Sequence, residues 1–260
     1  MSKTAFAIVA HPDDIEFLMA GTLMRLKDAG YDLHYMNVAN GCCGSATLPA
    51  EEIAAIRREE SIAAAKTLGA TFHESLCNDL EIFYDKPTLL QLTSIVRRVA
   101  PDIVLTHSPA DYMEDHMNTC RLAVTAAFAR GMPNFVTDPP AKAIDKPVAV
   151  YHAQPYSNCD PLCRPVVPEI FVDTSDLIER KQKQLACHAS QKEWLDVSQG
   201  QDSYLKTLAE LDREVGILSG RFAAAEGWRQ HLHYGFGAAG YNPLLNELPK
   251  NHVVKSQSTD

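Results

Sequence analysis

The chain has 260 residues, of which 46% are hydrophobic and 22% are charged. These fractions are close to those of ordinary globular proteins, so they exclude a disordered or fibrous chain and allow one domain with a sizeable core. The formal net charge of −9 argues against a nucleic-acid-binding protein, because such domains need a basic face.

The N-terminal half of the chain predicts strands that alternate with helices. Short apolar runs are followed by longer segments with helical spacing, several of which end at glycine or before proline. The strands are predicted at 5–10, 33–39, 71–76 and 102–107, and the helices at 16–29, 49–68, 87–100 and 115–130. This alternation is typical of an α/β protein with a Rossmann-like, mostly parallel sheet and helices on both faces.

The remainder of the chain is richer in proline and less regular. Strands are predicted at 148–152 and 167–172, and helices at 175–189 and 203–218. Asn251 to Asp260 is polar, and we expect it to be a frayed tail.

These patterns predict a single domain over residues 1–250. A Rossmann-like core is expected at about 1–135, and Pro-rich loops, strands and C-terminal helices at about 136–250, before the polar tail at 251–260. No window approaches the roughly 20 apolar residues that a membrane span needs. The seven cysteines have no paired Cys-x-x-Cys spacing, which favours reduced thiols. We therefore expect a cytoplasmic protein without a membrane span.

Two clusters of acidic residues and histidines follow the first and fourth predicted strands. Residues 11–16 read His-Pro-Asp-Asp-Ile-Glu, and residues 107–116 contain two histidines and three acidic side chains. In a doubly wound sheet these two strands lie side by side, and ligands bind at their carboxyl ends. Carboxylates without a nearby lysine repel one another unless a cation holds them. Imidazole and carboxylate ligands favour zinc first, with iron or another first-row metal as the alternative.

Each of these residues also has a structural interpretation. His11 could be a core histidine, Asp13 and Asp14 could cap the next helix, and His116 could be an ordinary helix residue. These interpretations do not explain why both clusters follow the two strands that flank the predicted crevice, so we favour the metal site.

Residues 10–16, Ala-His-Pro-Asp-Asp-Ile-Glu, resemble the A-H-P-D-D-x-E signature of the LmbE-like, PIG-L type zinc deacetylases. These enzymes remove acetyl groups from substrates that contain N-acetylglucosamine. The similarity continues at 57–60, 68–69, 78–80, 106–107, 111–116 and 188–191. The resemblance implies that His11, Asp14 and His116 hold zinc, with water as the fourth ligand. It also implies that Asp13 is the general base that activates this water and then protonates the leaving amine.

One position departs from the family pattern. Many members carry His-x-x-His before the fourth helix, and the first of these histidines assists the oxyanion, whereas Met113 stands here. A thioether cannot donate a hydrogen bond. Either zinc stabilises more of the charge, or His107, His188 or Tyr112 replaces the missing donor, or activity has been lost. We favour replacement by another donor.

Three further residues are candidates for the site, and two of them have a structural interpretation as well. Arg57 could form a surface ion pair with Glu60 one helical turn away, or, as the resemblance implies, could bind sugar hydroxyls or an anionic aglycone. Asp79 is either a turn residue or an acceptor for a sugar hydroxyl. His188 lies near a predicted helix end and is a candidate for the catalytic site, beside Ser190 as a candidate cap.

Residues 235–240 satisfy Gly-x-Gly-x-x-Gly, the pattern of dinucleotide-binding loops. Such a loop must follow a strand and begin a helix. Residues 228–234 do not predict a convincing strand, and Asn242-Pro243 is expected to end any helix. We therefore do not expect nucleotide binding.

The sequence thus predicts a zinc-dependent hydrolase that removes the acetyl group of a small N-acetylated amino sugar or its conjugate and releases acetate. One alternative is an amidase that acts on another sugar or thiol-sugar conjugate. A second, motivated by Met113, is a metal-holding sugar-binding protein without turnover. A homo-oligomer is expected, and nucleic acid is not an expected partner.

Overall fold

A computed structural model describes residues 2–191 and 203–255 of the chain. The strands are β1 (Lys3–Val9), β2 (Tyr31–Asn37), β3 (Ala70–His73), β4 (Ile103–Thr106), β5 (Ala149–Ala153), β6 (Ile170–Asp173), β7 (Ala225–Gln230) and β8 (Val253–Lys255). The helices are α1 (Asp14–Leu18), α2 (Ala20–Asp28), α3 (Ala50–Leu68), α4 (Lys86–Val99), α5 (Glu114–Ala129), α6 (Ile178–Leu185), α7 (Ser203–Ser219) and α8 (Pro243–Glu247), together with a short 3₁₀ turn at Tyr156–Asn158.

All of these strands form one sheet, in the order β3-β2-β1-β4-β5-β7-β6-β8. The pairs from β3 to β5 are parallel, and the pairs β5–β7, β7–β6 and β6–β8 are antiparallel. The predicted α/β fold with a mostly parallel sheet is therefore confirmed, and the Pro-rich half extends it with an antiparallel edge.

The core lies on both faces of the sheet because side chains alternate along each strand. On β1, Ala5, Ala7 and Val9 belong to one buried cluster, whereas Phe6 and Ile8 belong to another. Helices α4 and α5 contribute to the cluster that contains Phe6, and α1, α2, α6 and α7 contribute to the opposite one. This double coverage explains why β1 reads as a continuous apolar run.

The helix predicted at 16–29 is divided in two. Met19 has a φ of −152° and a ψ of 0° and separates α1 from α2. The break exposes the first amides of α2, and the Glu226 carboxylate accepts hydrogen bonds from Gly21 N (2.8 Å) and Thr22 N (2.7 Å). A carboxylate from β7 thus satisfies a helix N-terminus that a continuous helix would not have.

Three expectations for the C-terminal region were wrong. Residues 225–230 form β7, although Glu226, Arg229 and Gln230 make this segment polar for a strand inside a sheet. Val253–Lys255, expected in a frayed tail, pairs with β6 as an edge strand. Pro243 begins a helix instead of ending one, because the Asn242 side chain caps that helix through Leu245 N.

No helix within residues 2–191 and 203–255 has both the length and the apolar character needed to cross a membrane. Residues 235–240 form turns and bends and no helix, so the Gly-x-Gly-x-x-Gly string lacks the context of a dinucleotide-binding loop.

Candidate metal centre and active-site cavity

The two polar clusters meet at the carboxyl ends of β1 and β4, which are parallel neighbours. The ligand atoms of His11, Asp14 and His116 all lie within 4.8 Å of one another. Nδ1 of His11 is 3.6 Å from the Asp14 carboxylate, and Nε2 of His116 is 3.4 Å from it. The structure therefore brings the three predicted ligands together, from the loop after β1 and the first turn of α5.

Each of the two imidazole rings is oriented by its own carboxylate, in addition to that of Asp14. Nε2 of His11 lies 2.9 Å from Asp115 Oδ2, and Nδ1 of His116 lies 3.0 Å from Asp111 Oδ1. When these nitrogens carry the ring protons, Nδ1 of His11 and Nε2 of His116 are left as acceptors facing Asp14. Carboxylate–histidine pairs of this kind fix the tautomer of metal-binding histidines. The donor set, two imidazoles and one carboxylate, fits an open site for a divalent cation such as zinc.

The electrostatics of the cluster also favour a positive charge at its centre. Burial lowers the pKa of His11, but hydrogen bonds to Asp115 and Asp14 outweigh this effect and raise the pKa to about 10. Burial raises the pKa of Asp14, but the neighbouring His116 and His107 hold it well below its usual value. A divalent cation would satisfy the same carboxylates that attract these protons.

Asp13 lies beside this cluster in a strained conformation. Its φ of 104° is unusual for a residue other than glycine. Its Oδ2 accepts a 2.8 Å hydrogen bond from the Tyr204 hydroxyl and is 3.7 Å from Nη2 of Arg57. Burial raises the pKa of Asp13 to about 6, although Arg57 and Tyr204 oppose this rise. A carboxylate with this pKa can accept a proton near neutral pH and release it again.

Arg57 is buried and holds two loops together. It donates hydrogen bonds from Nη2 to Pro12 O (2.6 Å) and from Nη1 to Gly41 O (3.3 Å). Glu60 instead accepts hydrogen bonds from the backbone amide and the hydroxyl of Ser190. The surface ion pair between Arg57 and Glu60, one of the two interpretations of the sequence, is therefore not formed.

The predicted ligands border a cavity of about 390 Å³. The described residues that line it are aromatic, imidazole, acidic, sulfur-containing, aliphatic and amide side chains, together with one glycine and one guanidinium. They are His11, Asp13, Asp14, Phe17, Cys43, Gly44, Arg57, Asp79, Leu80, Tyr112, Met113, His116, Tyr156, Gln191 and Tyr204. Tyr112 is 58% exposed, and its ring meets the His116 ring edge-on at a centroid distance of 5.6 Å. A neighbouring cavity of about 420 Å³ contains none of the predicted ligands.

His107 and His188 are buried behind this cavity and are not part of its lining. Nε2 of His107 accepts a hydrogen bond from Ala10 N (2.9 Å), and the ring stacks on His116 at 4.1 Å. Nε2 of His188 lies 3.2 Å from Glu16 Oε2. The structure therefore brings both histidines next to the site without giving them access to a ligand in the cavity.

Asp79 lines the cavity, but its carboxylate is engaged by the backbone. Oδ1 accepts from Gly41 N (2.7 Å) and Oδ2 from Cys43 N (2.9 Å). Its observed role is that of a turn-stabilising residue, and a remaining lone pair on each oxygen is available to a ligand.

Sequence reasoning missed Tyr204 and Tyr156, which also line the cavity. They come from segments more than 140 residues after β1 and belong to no recognisable motif. Only the long-range packing of the C-terminal half against α1, such as the Phe17–Tyr204 ring contact at 5.1 Å, brings them to the site.

Curated relatives with known activities differ in the reactions that they catalyse. The chain is 29% identical over 217 residues to diacetylchitobiose deacetylase of Thermococcus kodakarensis, covering 80% of this chain and 76% of that protein. It is 28% identical over 228 residues to 4-oxalmesaconate hydratase of Pseudomonas putida, covering 84% of this chain and 85% of that protein.

A solved deacetylase structure is also similar to this protein. N,N'-diacetylchitobiose deacetylase from Pyrococcus horikoshii superimposes with a TM-score of 0.75 at 25% sequence identity, covering 94% of this chain and 89% of that one. Residues 6–128, which carry β1 to α5 and all three candidate metal ligands, match the family model for GlcNAc-PI de-N-acetylase, PIG-L. Over residues 6–128 the protein is therefore similar to the PIG-L, or LmbE-like, family.

Proposed function

We propose that this protein is a zinc-dependent amide hydrolase that removes the acetyl group of an N-acetyl amino sugar or its conjugate and releases acetate. The observation that carries the proposal is the position of Asp13, whose pKa is about 6, in the cavity that His11, Asp14 and His116 also line. A metal site paired with a general base is one arrangement that hydrolyses an unactivated amide.

A divalent metal held by His11, Asp14 and His116 would supply a Lewis acid that polarises the acetyl carbonyl and makes a water molecule more acidic. Asp13 accepts the proton of the attacking water and delivers it to the leaving nitrogen, so the amine departs neutral. Tyr204 and Arg57 orient the Asp13 carboxylate for this exchange.

We propose that Tyr112 replaces the missing oxyanion donor at Met113. Partial burial and the nearby carboxylates of Asp14 and Asp111 raise the pKa of Tyr112 above its ordinary value, so its hydroxyl stays protonated and can donate a hydrogen bond. His107 accepts from a backbone amide through the nitrogen nearest Asp14, and His188 binds Glu16. We therefore propose that these two histidines are positioning residues.

The lining of the cavity favours a neutral sugar over a polycarboxylate. Phe17, Tyr112 and Tyr156 offer apolar ring surface, while Asp13 and Asp79 offer acceptors for hydroxyl groups. Among the described lining residues the one guanidinium is that of Arg57, and its terminal nitrogens already bind backbone carbonyls. An anionic substrate such as that of the hydratase relative would gain little attraction from these side chains.

Acetate release and metal content together test the proposal. Purified protein is analysed for bound metal, and the zinc-loaded protein is assayed with N-acetylglucosamine, N,N'-diacetylchitobiose, thiol-sugar conjugates that carry no N-acetyl group, and 4-oxalmesaconate. We expect stoichiometric divalent metal, acetate release from at least one N-acetyl sugar, and no hydration. Turnover of thiol conjugates alone would support the alternative amidase, and hydration alone would overturn the deacetylase.

The second alternative is a metal-holding sugar-binding protein without turnover. It predicts identical, near-zero rates for the wild type and Asp13→Asn under saturating zinc, with sugar binding intact in both. The deacetylase predicts a wild-type rate well above that of Asp13→Asn.

We also propose that the deacetylase domain spans residues 1–250 and that the protein is a cytoplasmic homo-oligomer. Phe128, Leu232 and Tyr234 are exposed and border one shallow cavity, and exposed apolar clusters of this kind mark interfaces. Light scattering that gives the monomer mass of 28.7 kDa at assay concentration would contradict an oligomer.

A further inference from the structure

Two adjacent cysteines lie on the wall of the active-site cavity. Cys42 is partly buried and Cys43 is exposed, and Cys43 lines the cavity. Their sulfur atoms are 3.9 Å apart. Together with the Asp79 carboxylate they form a group whose ligand atoms all lie within 4.8 Å of one another. The deacetylation mechanism gives these two thiols no role.

The loop that carries the thiols is held in place by side chains. Asp79 accepts hydrogen bonds from Gly41 N and Cys43 N, and Asn40 Oδ1 accepts one from Cys42 N at 3.1 Å. Three consecutive amides are therefore fixed, so both thiols project from an ordered turn. The same bonds orient the Asp79 carboxylate, as hydrogen bonds to metal-binding carboxylates commonly do.

The distances match those of a thiolate metal site. Two sulfurs at the zinc–sulfur bond length of about 2.3 Å in a tetrahedral site lie roughly 3.8 Å apart, close to the 3.9 Å between Cys42 Sγ and Cys43 Sγ. Two soft sulfurs and one carboxylate oxygen favour zinc or cadmium over magnesium or calcium. Three protein ligands leave a fourth position for water or for a ligand in the cavity.

We propose that Cys42, Cys43 and Asp79 form a second cation site that binds a thiophilic divalent metal, Zn²⁺ or Cd²⁺, on the wall of the active-site cavity. Binding forms two metal–sulfur bonds and releases the two thiol protons to solvent, so no oxidant is needed. This site is distinct from the candidate centre at His11, Asp14 and His116, which contains no thiol.

Occupancy of this thiolate site affects the cavity in two ways. A cation bound to Cys43 takes up space along the cavity wall. The cation also binds the Asp79 carboxylate. The next residue, Leu80, donates a backbone hydrogen bond to Asp115, the carboxylate that binds His11. We therefore expect excess zinc to inhibit the enzyme through this site, an effect that rests on the proposed deacetylase activity, whereas the binding itself does not.

Cadmium absorption tests the binding without any assay of activity. Cd²⁺ is titrated into the zinc-loaded full-length protein, and the ultraviolet charge-transfer band of cadmium–thiolate bonds is recorded. We expect a saturable band in the wild type, its loss in Cys42→Ser/Cys43→Ser, and its retention in the matched control Cys159→Ser/Cys163→Ser. Absence of the band in the wild type, or its persistence in Cys42→Ser/Cys43→Ser, would overturn the site.

Alkylation of the wild type provides a test that does not depend on a folded variant. Iodoacetamide labelling is mapped by peptide mass spectrometry with and without Cd²⁺. We expect Cd²⁺ to protect Cys42 and Cys43 but not the exposed Cys163. Equal labelling of Cys42 and Cys43 in both samples would contradict the proposal.

The inhibition is measured separately, as the ratio of each protein's rate in excess zinc to its own rate at stoichiometric zinc. The wild type should lose activity and Cys42→Ser/Cys43→Ser should retain it. Equal inhibition of both proteins would refute the regulatory part while leaving the cadmium result intact. If neither protein releases acetate from any substrate, the proposed function fails and the band still reports on the site.

Discussion

At the scale of single residues, two adjacent aspartates have different environments. Asp14 accepts from the backbone amide of His11 and faces both ligand imidazoles, whereas Asp13 is turned away by its positive φ and meets Tyr204 and Arg57. Identical side chains can therefore act as metal ligand and as base because the backbone aims them at different partners.

Replacement of each aspartate should separate these roles. Asp13→Asn should keep the metal and lower the turnover number by roughly 10²–10⁴-fold, the usual contribution of a positioned general base. Asp14→Ala should lower metal affinity, because it removes one of three protein ligands. Metal content after dialysis and the rate under saturating zinc are measured for both variants. Loss of metal from Asp13→Asn with retention in Asp14→Ala would reverse the assignment.

Tyr204→Phe tests the support of the base. The hydrogen bond from Tyr204 lowers the pKa of Asp13, so its removal should raise that pKa and move the acid limb of the pH–rate profile to higher pH. Because the base must be ionised, the loss should be largest at low pH and small on the alkaline plateau. Tyr156→Phe is the matched control, since this second tyrosine of the cavity lining is not the one whose hydroxyl bonds Asp13. An unchanged acid limb in Tyr204→Phe would show that this hydroxyl does not tune the base.

Site residues that directly follow a strand could be predicted from the sequence. Site residues that reach the cavity only through packing between distant segments could not. His11, Asp14 and His116 stand directly after β1 or at the start of α5, so the strand pattern and the motif locate them. Tyr204 depends on the docking of α7 against α1, which no local signal encodes. The burial of Arg57 was also invisible, because its helix carries many charged residues and has no clear apolar face.

At the scale of elements, the parallel strands could be predicted because both of their faces are buried and their sequences are apolar. β7 was missed because it carries Glu226, a fully enclosed carboxylate that binds Lys181 Nζ at 2.7 Å as well as the amides of α2. A buried charge is tolerated in a strand when its partners satisfy it, and those partners lie on elements that are distant in the sequence.

The close approach of α7 to the chain before β7 gives a prediction at this scale. A Cβ at Gly216 would lie 2.7 Å from Ala224 N and 2.8 Å from Ala223 C, both backbone atoms that cannot rotate away. Alanine normally stabilises a helix by up to about 1 kcal/mol relative to glycine, but overpacking costs about 1–3 kcal/mol. Gly216→Ala should therefore lower the free energy of unfolding by about 1 kcal/mol in urea titrations, the mid-range overpacking cost less the helix-propensity gain.

The control for this prediction is Arg213→Ala, an exposed substitution in the same helix. It should change stability by less than about 0.5 kcal/mol. If Gly216→Ala is as stable as the wild type, helix α7 and the backbone at Ala223 and Ala224 can move apart without a loss of free energy, and the prediction is wrong.

At the scale of the whole molecule, stability depends on a histidine that folding keeps neutral. His152 on β5 is buried between His107 O and His231, and burial lowers its pKa to about 4. The unfolded chain therefore binds a proton near pH 6.5 that the folded protein binds only near pH 4. The stability that His152 contributes by staying neutral in the folded protein is fully present above pH 6.5 and is lost as the pH falls towards 4.

Urea unfolding at pH 6.5 and pH 5 checks this sign. The free energy of unfolding of the wild type should be lower at pH 5 than at pH 6.5. His152 should account for up to about 2 kcal/mol of this decrease. His152→Gln, compared at the same metal concentration, should be less stable at pH 6.5 but should lose correspondingly less on acidification. An equal loss in both proteins would assign the acid sensitivity to other groups.

The contact between Tyr204 and Asp13, and that between Glu226 and the first amides of α2, make the order of synthesis important. A ribosome releases the three proposed metal ligands within the first 116 residues, together with the parallel strands β1 to β4. The hydroxyl that holds the base emerges almost 90 residues later, and the carboxylate that caps α2 emerges later still. A nascent chain thus contains all three proposed ligands long before the proposed base meets Tyr204, so metal binding would precede the onset of turnover during synthesis.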